Sequence, residues 1–378
     1  MKNHIGQFET LRFAASFWVF LSHILLIVER PMRFVAEGGL AVDLFVILSG
    51  YVITIMLLKR PESYTSYIFR RFLRLYPLYL VALVLGIMTQ AFYAPVIGDS
   101  LFGAAEKSGF IERAALVDDN FWQNIAVHLT MLHGAVPDEA LPMSALVFSG
   151  PLWSISLEWQ FYLVAPLVLW TVDVRKPGRW KIAVPVLASI LVLRSVTGPW
   201  WTAGVPSFLP LRLPLFALGI FCGLAWSRLP KISVWKVLAV IAPVMLALIL
   251  LNHRAPPLFM WFAVYLAAGY AGRSKIADAL NAVLCFKPFV WLGTRSYGLY
   301  VLHMPIVLFV AGTLLVPYAS QLGRSGMFAA LLATYGLVVA CAAFMYCYVE
   351  MPVIAWGKRM KLGATPSVAT GSADLKTA

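Results

Sequence analysis

Residues Phe8–Val28 read FETLRFAASFWVFLSHILLIV, a stretch long and apolar enough to cross a bilayer that nevertheless carries Arg12 and His23. At 100° per residue the eleven-position step between them turns through about 1100°, about 20° past three full turns. Both side chains therefore share one helix face, roughly 16 Å apart along the axis. A buried arginine costs on the order of 2.5–3.5 kcal/mol on translocon scales, so an intramembrane Arg and His mark a functional site rather than a plain anchor. The bland alternative is a polar pair that joins helices.

The same apolar character runs through the chain. Its 378 residues are 61% hydrophobic and 12% charged, with mean hydropathy +0.81, which argues against an ordinary soluble domain. Spanning runs are expected at 7–28, 38–58, 75–95, 153–172, 182–198, 207–226, 233–251, 256–272, 289–316 and 326–351. The fold class is an all-α integral membrane protein of about ten transmembrane helices with both termini cytoplasmic. Residues 1–352 form the membrane domain, and 353–378 thin to a cytoplasmic, disordered tail. The first segment opens like a signal peptide with Lys2, but its length and Arg12 read as a retained helix.

Orientation follows from the basic residues between runs. One set of connections holds Lys59, Arg60, Arg70, Arg71 and Arg74, then Arg175, Lys176, Arg179 and Lys181, with further lysines and arginines at 228–236, 273–287 and 358–361. That side is cytoplasmic. The opposite set holds Arg30, Arg33, Lys107, Arg113, Arg254 and Arg324, and its longest member, 96–150, carries seven acids against two bases. The formal charge of +13 is therefore mostly a topology signal. No aromatic-interleaved basic groove points to nucleic acid. Cys222, Cys285, Cys341 and Cys347 lack metal-ligand spacing and read as core fillers, and no metal is expected.

Counting about 1.5 Å per residue from each helix start sorts the buried polar residues by depth. Arg12 falls in the cytoplasmic half and His23 in the outer half. Asp43 lies near the outer end of the second run, where Gly39, Asp43, Val46 and Gly50 share a face and small residues admit a close partner helix. Ser154 and Glu158, one turn apart on the fourth run, place Glu158 at the depth of His23. Arg212, between Pro210 and Pro214, is a possible counter-ion for Asp43 or Glu158. Ser296, Tyr300 and His303 share a face near mid-membrane, where His303 reads first as a hydrogen-bonder between helices. At the inner side Arg70, Arg71 and Arg74 cluster before Tyr76-Pro77, suited to bidentate contacts with phosphate oxygens. Topology or contact with anionic lipid would explain the same arginines. Glu350 is placed to neutralise part of that charge. Such a polar track suits a transporter of a polar or anionic solute. It equally suits a transferase that takes an activated group from a phosphorylated carrier inside and hands it to an acceptor from outside or from the membrane.

The motifs favour the transferase. Leu11-Arg12-Phe13 with His23, Gly39 through Asp43 to Ser49-Gly50-Tyr51, Arg70-Arg71-Phe72-Leu73-Arg74-Leu75-Tyr76-Pro77, Trp153 to Tyr162, Arg212 with Phe216 and Gly219, Ser296-Tyr297-Gly298-Leu299-Tyr300 with His303 and Pro305, and Glu350 with Pro352 occur in order. Together they closely resemble the membrane acyltransferase family 3 over nearly the whole chain. The resemblance implies transfer of an acyl group, usually acetyl, from cytoplasmic acyl-CoA to a hydroxyl, with a glycan or lipid-linked sugar as first-choice acceptor and a macrolide behind it. It implies a bacterial inner-membrane location, the family's Arg and His at Arg12 and His23, and its cytoplasmic arginine motif at Arg70, Arg71 and Arg74. Many members carry two adjacent acids in the fourth motif, whereas Glu158 is followed by Trp159. The catalytic set expected is His23 with Arg12, Asp43 and Glu158. Acetyl-CoA is held by Arg70, Arg71, Arg74 and Arg12, and Ser154, Arg212, Tyr300, His303 and Glu350 support. His23 acts either as general base or as an acyl-carrying nucleophile.

Overall fold

The computed structural model describes residues 4–59, 62–98, 101–102, 119–172, 178, 180–197, 205–251 and 255–360. Arg60, Lys107, Arg113, Arg175, Lys176, Arg179, Arg254 and everything from Lys361 onward lie outside the described residues. Among the described residues the chain is helical, without strands. The helices are α1 His4–Ile27, α2 Gly38–Lys59, α3 Tyr64–Met88, α4 Phe121–Leu129, α5 Leu152–Val172, α6 Trp180–Thr197, α7 Leu209–Ala225, α8 Val234–Leu251, α9 Ala255–Gly269, α10 Lys275–Leu284, α11 Lys287–Gly293, α12 Ser296–Val310, α13 Ala319–Met345 and α14 Met351–Arg359. Five helical stretches are long and apolar enough to cross a membrane, or six when α10 and α11, bent by 63°, count as one. One of the five, the run Ser296–Arg359, folds back on itself. It does so through a π turn at Ala311–Leu315 and a left-handed Gly323, which brings Gly298 against Ala342.

Three boundaries differ from the sequence reading. α3 begins at Tyr64 rather than 75, because Ser63 caps it by accepting from the Ser66 amide, and helical hydrogen bonding continues through the arginines that interrupt the apolar run. The expected 289–316 run is broken between α11 and α12. The expected tail boundary at 352 falls inside folded chain: α14 runs to Arg359, and Gly357 is buried where a Cβ would overlap Leu73.

Two contacts set the frame of the site. α2 and α7 run parallel in close apposition, since a Cβ at Gly50 would overlap the Phe216 carbonyl and one at Gly219 the Ile47 carbonyl. Gly50 thus performs the close packing expected of it, whereas a Cβ at Gly39 would meet nothing. α11 closes on α1 in the same manner, with Gly293 over the Glu9 carbonyl. The largest core cluster joins α2, α3, α5, α7 and α12, and residues 131–148 fold over the start of α5, with Met131, Val147 and Phe148 buried in it.

Candidate active site

A cavity of about 360 Å3 opens among α1, α2, α3, α5 and α12, within the size range of small-ligand sites. Its polar wall is Arg12, Ser49, Arg71, Arg74, Ser154, Glu158, Tyr162, Ser296, Tyr297 and Tyr300, and its apolar wall includes Phe45, Val46, Ile155 and Phe216. Ile354 of α14 also contributes, so the segment expected as tail helps to build the site.

The arginines separate. Arg12 Nη1 lies 3.0 Å from Glu9 Oε1, one turn back on α1. Arg74 lies 3.1 Å from the buried Glu350, and its guanidinium is 5.8 Å from the Tyr297 ring centre. Arg70 pairs with Glu62 at 2.6 Å and is more open than Arg74; it is absent from the cavity wall. Helix geometry accounts for this, since Arg70 stands about 100° round from Arg71. Arg71 faces the cavity with its guanidinium 5.8 Å from the Tyr162 ring centre. Among the described residues it has no carboxylate within ion-pair distance.

Glu158 accepts from Ser49 Oγ at 3.2 Å and from the Tyr162 hydroxyl one turn on. It therefore sits with the α3 arginines rather than at the depth of His23. The depth count started from Pro151 as the membrane edge, but residues 131–151 cover that end of α5. Asp43 and Arg212 meet instead, at 2.9 Å and nearly fully buried. Gln160 ties the start of α7 to α5: its Oε1 accepts from the Leu209 amide at 3.0 Å and its Nε2 donates to the Ser207 carbonyl at 2.9 Å. Removing one partner of such a buried pair costs about 3–5 kcal/mol.

Tyr300 connects the cavity to the histidines. Its hydroxyl accepts from Ser154 Oγ at 2.7 Å and donates to the Pro151 carbonyl at 3.0 Å, while its own carbonyl meets His303 Nδ1 at 2.6 Å. His303 Nε2 then lies 3.2 Å from His23 Nδ1, which is also 2.9 Å from the Val19 carbonyl. His303 is fully buried and His23 half-buried. Among the described residues, neither histidine lines the cavity, nor do Asp43, Arg212 or Glu350. Glu9, Ser49, Tyr162 and Tyr297 are the polar contributors the sequence reading gave no role. The three- and four-residue spacings of Glu9 to Arg12 and Glu158 to Tyr162 were signals available for two of them. Among the described residues no group of three or more His, Cys, Asp or Glu is placed to hold a metal ion.

Known proteins match most of the chain in sequence. Residues 5–347 match the acyltransferase domain of acyltransferase family 3. Acyltransferase MdmB of Streptomyces mycarofaciens is 26% identical over 370 residues, covering 90% of this chain and 87% of its own. Peptidoglycan O-acetyltransferase OatA of Listeria monocytogenes is 29% identical over 303 residues, covering 72% of this chain and 45% of its own. O-acetyltransferase OatA of Staphylococcus aureus is 25% identical over 318 residues, covering 76% and 49%. The chain thus spans about half the length of the two OatA proteins. No solved structure matches. The apolar helical bundle, its polar cavity and these matches agree: the chain belongs to acyltransferase family 3 and is a multi-pass membrane acyltransferase.

Proposed function

We propose that the chain moves an acetyl group from cytoplasmic acetyl-CoA to a hydroxyl of a cell-surface or lipid-linked glycan, in a ten-span bundle of the bacterial inner membrane with both termini cytoplasmic. Arg71 carries the donor half of this reading: a cavity-facing guanidinium without a carboxylate partner among the described residues is suited to an anionic ligand. Arg74 and Arg12, already matched by Glu350 and Glu9, add directed N–H donors with little excess charge. The phosphates would lie on the α3 side, with the thioester arm along Phe45, Val46 and Ile155.

In the transfer step His23 takes the proton of the acceptor hydroxyl as its oxygen attacks the thioester carbonyl. The C–S bond breaks, the acyl C–O bond forms, and the imidazolium returns the proton to the departing thiolate. Asp43 acts through Arg212, holding α7 against α2, and Glu158 orders Ser49 and Tyr162 at the cavity wall. The glycan acceptor is supported by the relative named as a peptidoglycan O-acetyltransferase.

The test is to compare base-labile acetate on envelope glycans of cells with and without the protein, and free CoA release from acetyl-CoA by membranes supplied with those glycans. Acetylation and CoA release that both depend on the protein are expected. A protein-dependent loss of neither would overturn the reading.

A further inference from the structure

We propose that Phe45 sets the length of the acyl group that the cavity accepts, by closing its apolar end at the size of a short chain. The role rests on the reading of an acyl-CoA donor whose phosphates lie beside Arg71.

The cavity has two chemically distinct ends, and contacts between helices fix which residues lie at each. At one end the Glu158 carboxylate accepts from Ser49 and Tyr162, with Arg71 beside the Tyr162 ring and Arg74 beside the Tyr297 ring. At the other, Tyr300 meets Ser154 through a hydrogen bond and Phe45 through an edge-on ring contact, 5.4 Å between centres at 66°. α2 connects the two ends. Val42, Phe45, Val46, Ser49, Val52 and Ile53 all line the cavity, and their spacings of three and four residues are those of one helix face. From Val42 to Ile53 that face rises roughly 16 Å.

An acyl-CoA has the same polarity as this cavity, with charged phosphates at one end and the acyl group as its apolar tip. Phosphates at the arginine end direct the tip to Val42, Phe45, Val46 and Ile155. The hydroxyls at that end satisfy each other: Tyr300 accepts from Ser154 and donates to the Pro151 carbonyl. A hydrocarbon tip therefore leaves neither hydroxyl without a partner.

Of the side chains bounding this end, Phe45 governs its depth. Tyr300 is buried and bonded at its tip, so its withdrawal breaks a buried hydrogen bond. Val42 and Val46 are short and stiff at χ1. Phe45 is half-buried and carries no polar atom, so truncating it adds the ring's volume to the cavity without orphaning a donor or acceptor.

In the experiment, membranes containing the protein receive envelope glycans and acetyl-, propionyl-, butyryl- or hexanoyl-CoA, and both free CoA and the base-labile acid on the glycan are measured. For the wild type, kcat/KM should fall about tenfold or more for each methylene beyond acetyl. Phe45→Ala should raise the butyryl-to-acetyl ratio of kcat/KM at least about tenfold, whereas Val52→Ala, two turns along the same face, should leave it within about twofold. Phe45→Leu shortens the side chain more gently and should admit propionyl before butyryl, which keeps the test decisive if Phe45→Ala does not fold. Wild-type ratios in the Phe45 variants, or an equal rise in Val52→Ala, would overturn the role of Phe45 while acetyl transfer by the wild type leaves the donor reading in place. A wild type that uses butyryl-CoA as well as acetyl-CoA would overturn it too. No protein-dependent CoA release from any of these donors would overturn the donor reading and the role of Phe45 together.

Discussion

Among the described residues two histidine pairs are built in opposite ways. His23 and His303 meet nitrogen to nitrogen across two helices, and one of the rings is only half-buried. His128 and His133 meet face to face, 3.9 Å between ring centres and 5° from parallel, both fully buried. Their Nδ1 atoms meet buried partners: His128 the Asn124 carbonyl of its own helix at 2.7 Å and His133 the Tyr79 hydroxyl of α3 at 3.3 Å. Phe148 closes the edge of His128, 5.1 Å away at 66°. The same residue type thus serves two ends. Contact through nitrogens joins two helices by a polar contact, whereas contact through faces contributes packing.

The largest effect should come from breaking the first pair at its half-buried member. His23→Ala is expected to lower acetylation by about 10²- to 10⁴-fold, the range of a lost general base, while the protein remains folded and monodisperse. His133→Leu should leave acetylation per folded molecule unchanged. Equal losses in both variants would erase the distinction between the pairs. The next effect sharpens the division between the cavity and the histidines. Arg71→Ala should raise the Michaelis constant for acetyl-CoA about 10- to 100-fold with kcat little changed, matching about 1.5–3 kcal/mol for a charge-assisted contact made equally in ground and transition states. Arg70→Ala, which breaks only the outlying pair with Glu62, should leave that constant within about twofold. A fall in kcat for Arg71→Ala at unchanged Michaelis constant would move Arg71 from donor binding to the chemistry.

Much of this was legible because it is periodic. The shared face of Arg12 and His23, the small-residue face of α2 at Gly50 and the shared face of Ser296, Tyr300 and His303 all follow from 3.6 residues per turn. Two misplacements came from treating apolarity as the boundary of a helix. α3 starts at its Ser63 cap, and α5 starts beneath residues 131–148. The contacts that join the site are non-local and left no local signal: Ser49 to Glu158 spans 109 positions and His23 to His303 spans 280. Arg212 offered two plausible acids, and the close packing of α7 on α2 at Gly50 and Gly219 brings it to Asp43.

The smallest expected effect concerns the stacked pair and reads out as stability. Burial, and then the adjacent His128, hold the His133 imidazole well below its ordinary range. The unfolded chain binds a proton there below about pH 6.5, while the folded protein resists doing so. This contribution is complete above about pH 6.5 and is lost as the pH falls below it, with a limiting slope of about 1.4 kcal/mol per pH unit for one site. The thermal midpoint should therefore drop between pH 7.5 and 5.0, with faster hydrogen exchange in residues 119–150. His133→Leu should flatten part of that dependence, whereas His303→Gln should leave the exchange of 119–150 unaltered. An equal pH slope in wild type and His133→Leu would show that the stacked rings do not limit the acid stability of this cover. The two pairs would then differ in contact geometry but not in what protonation does to the segments around them.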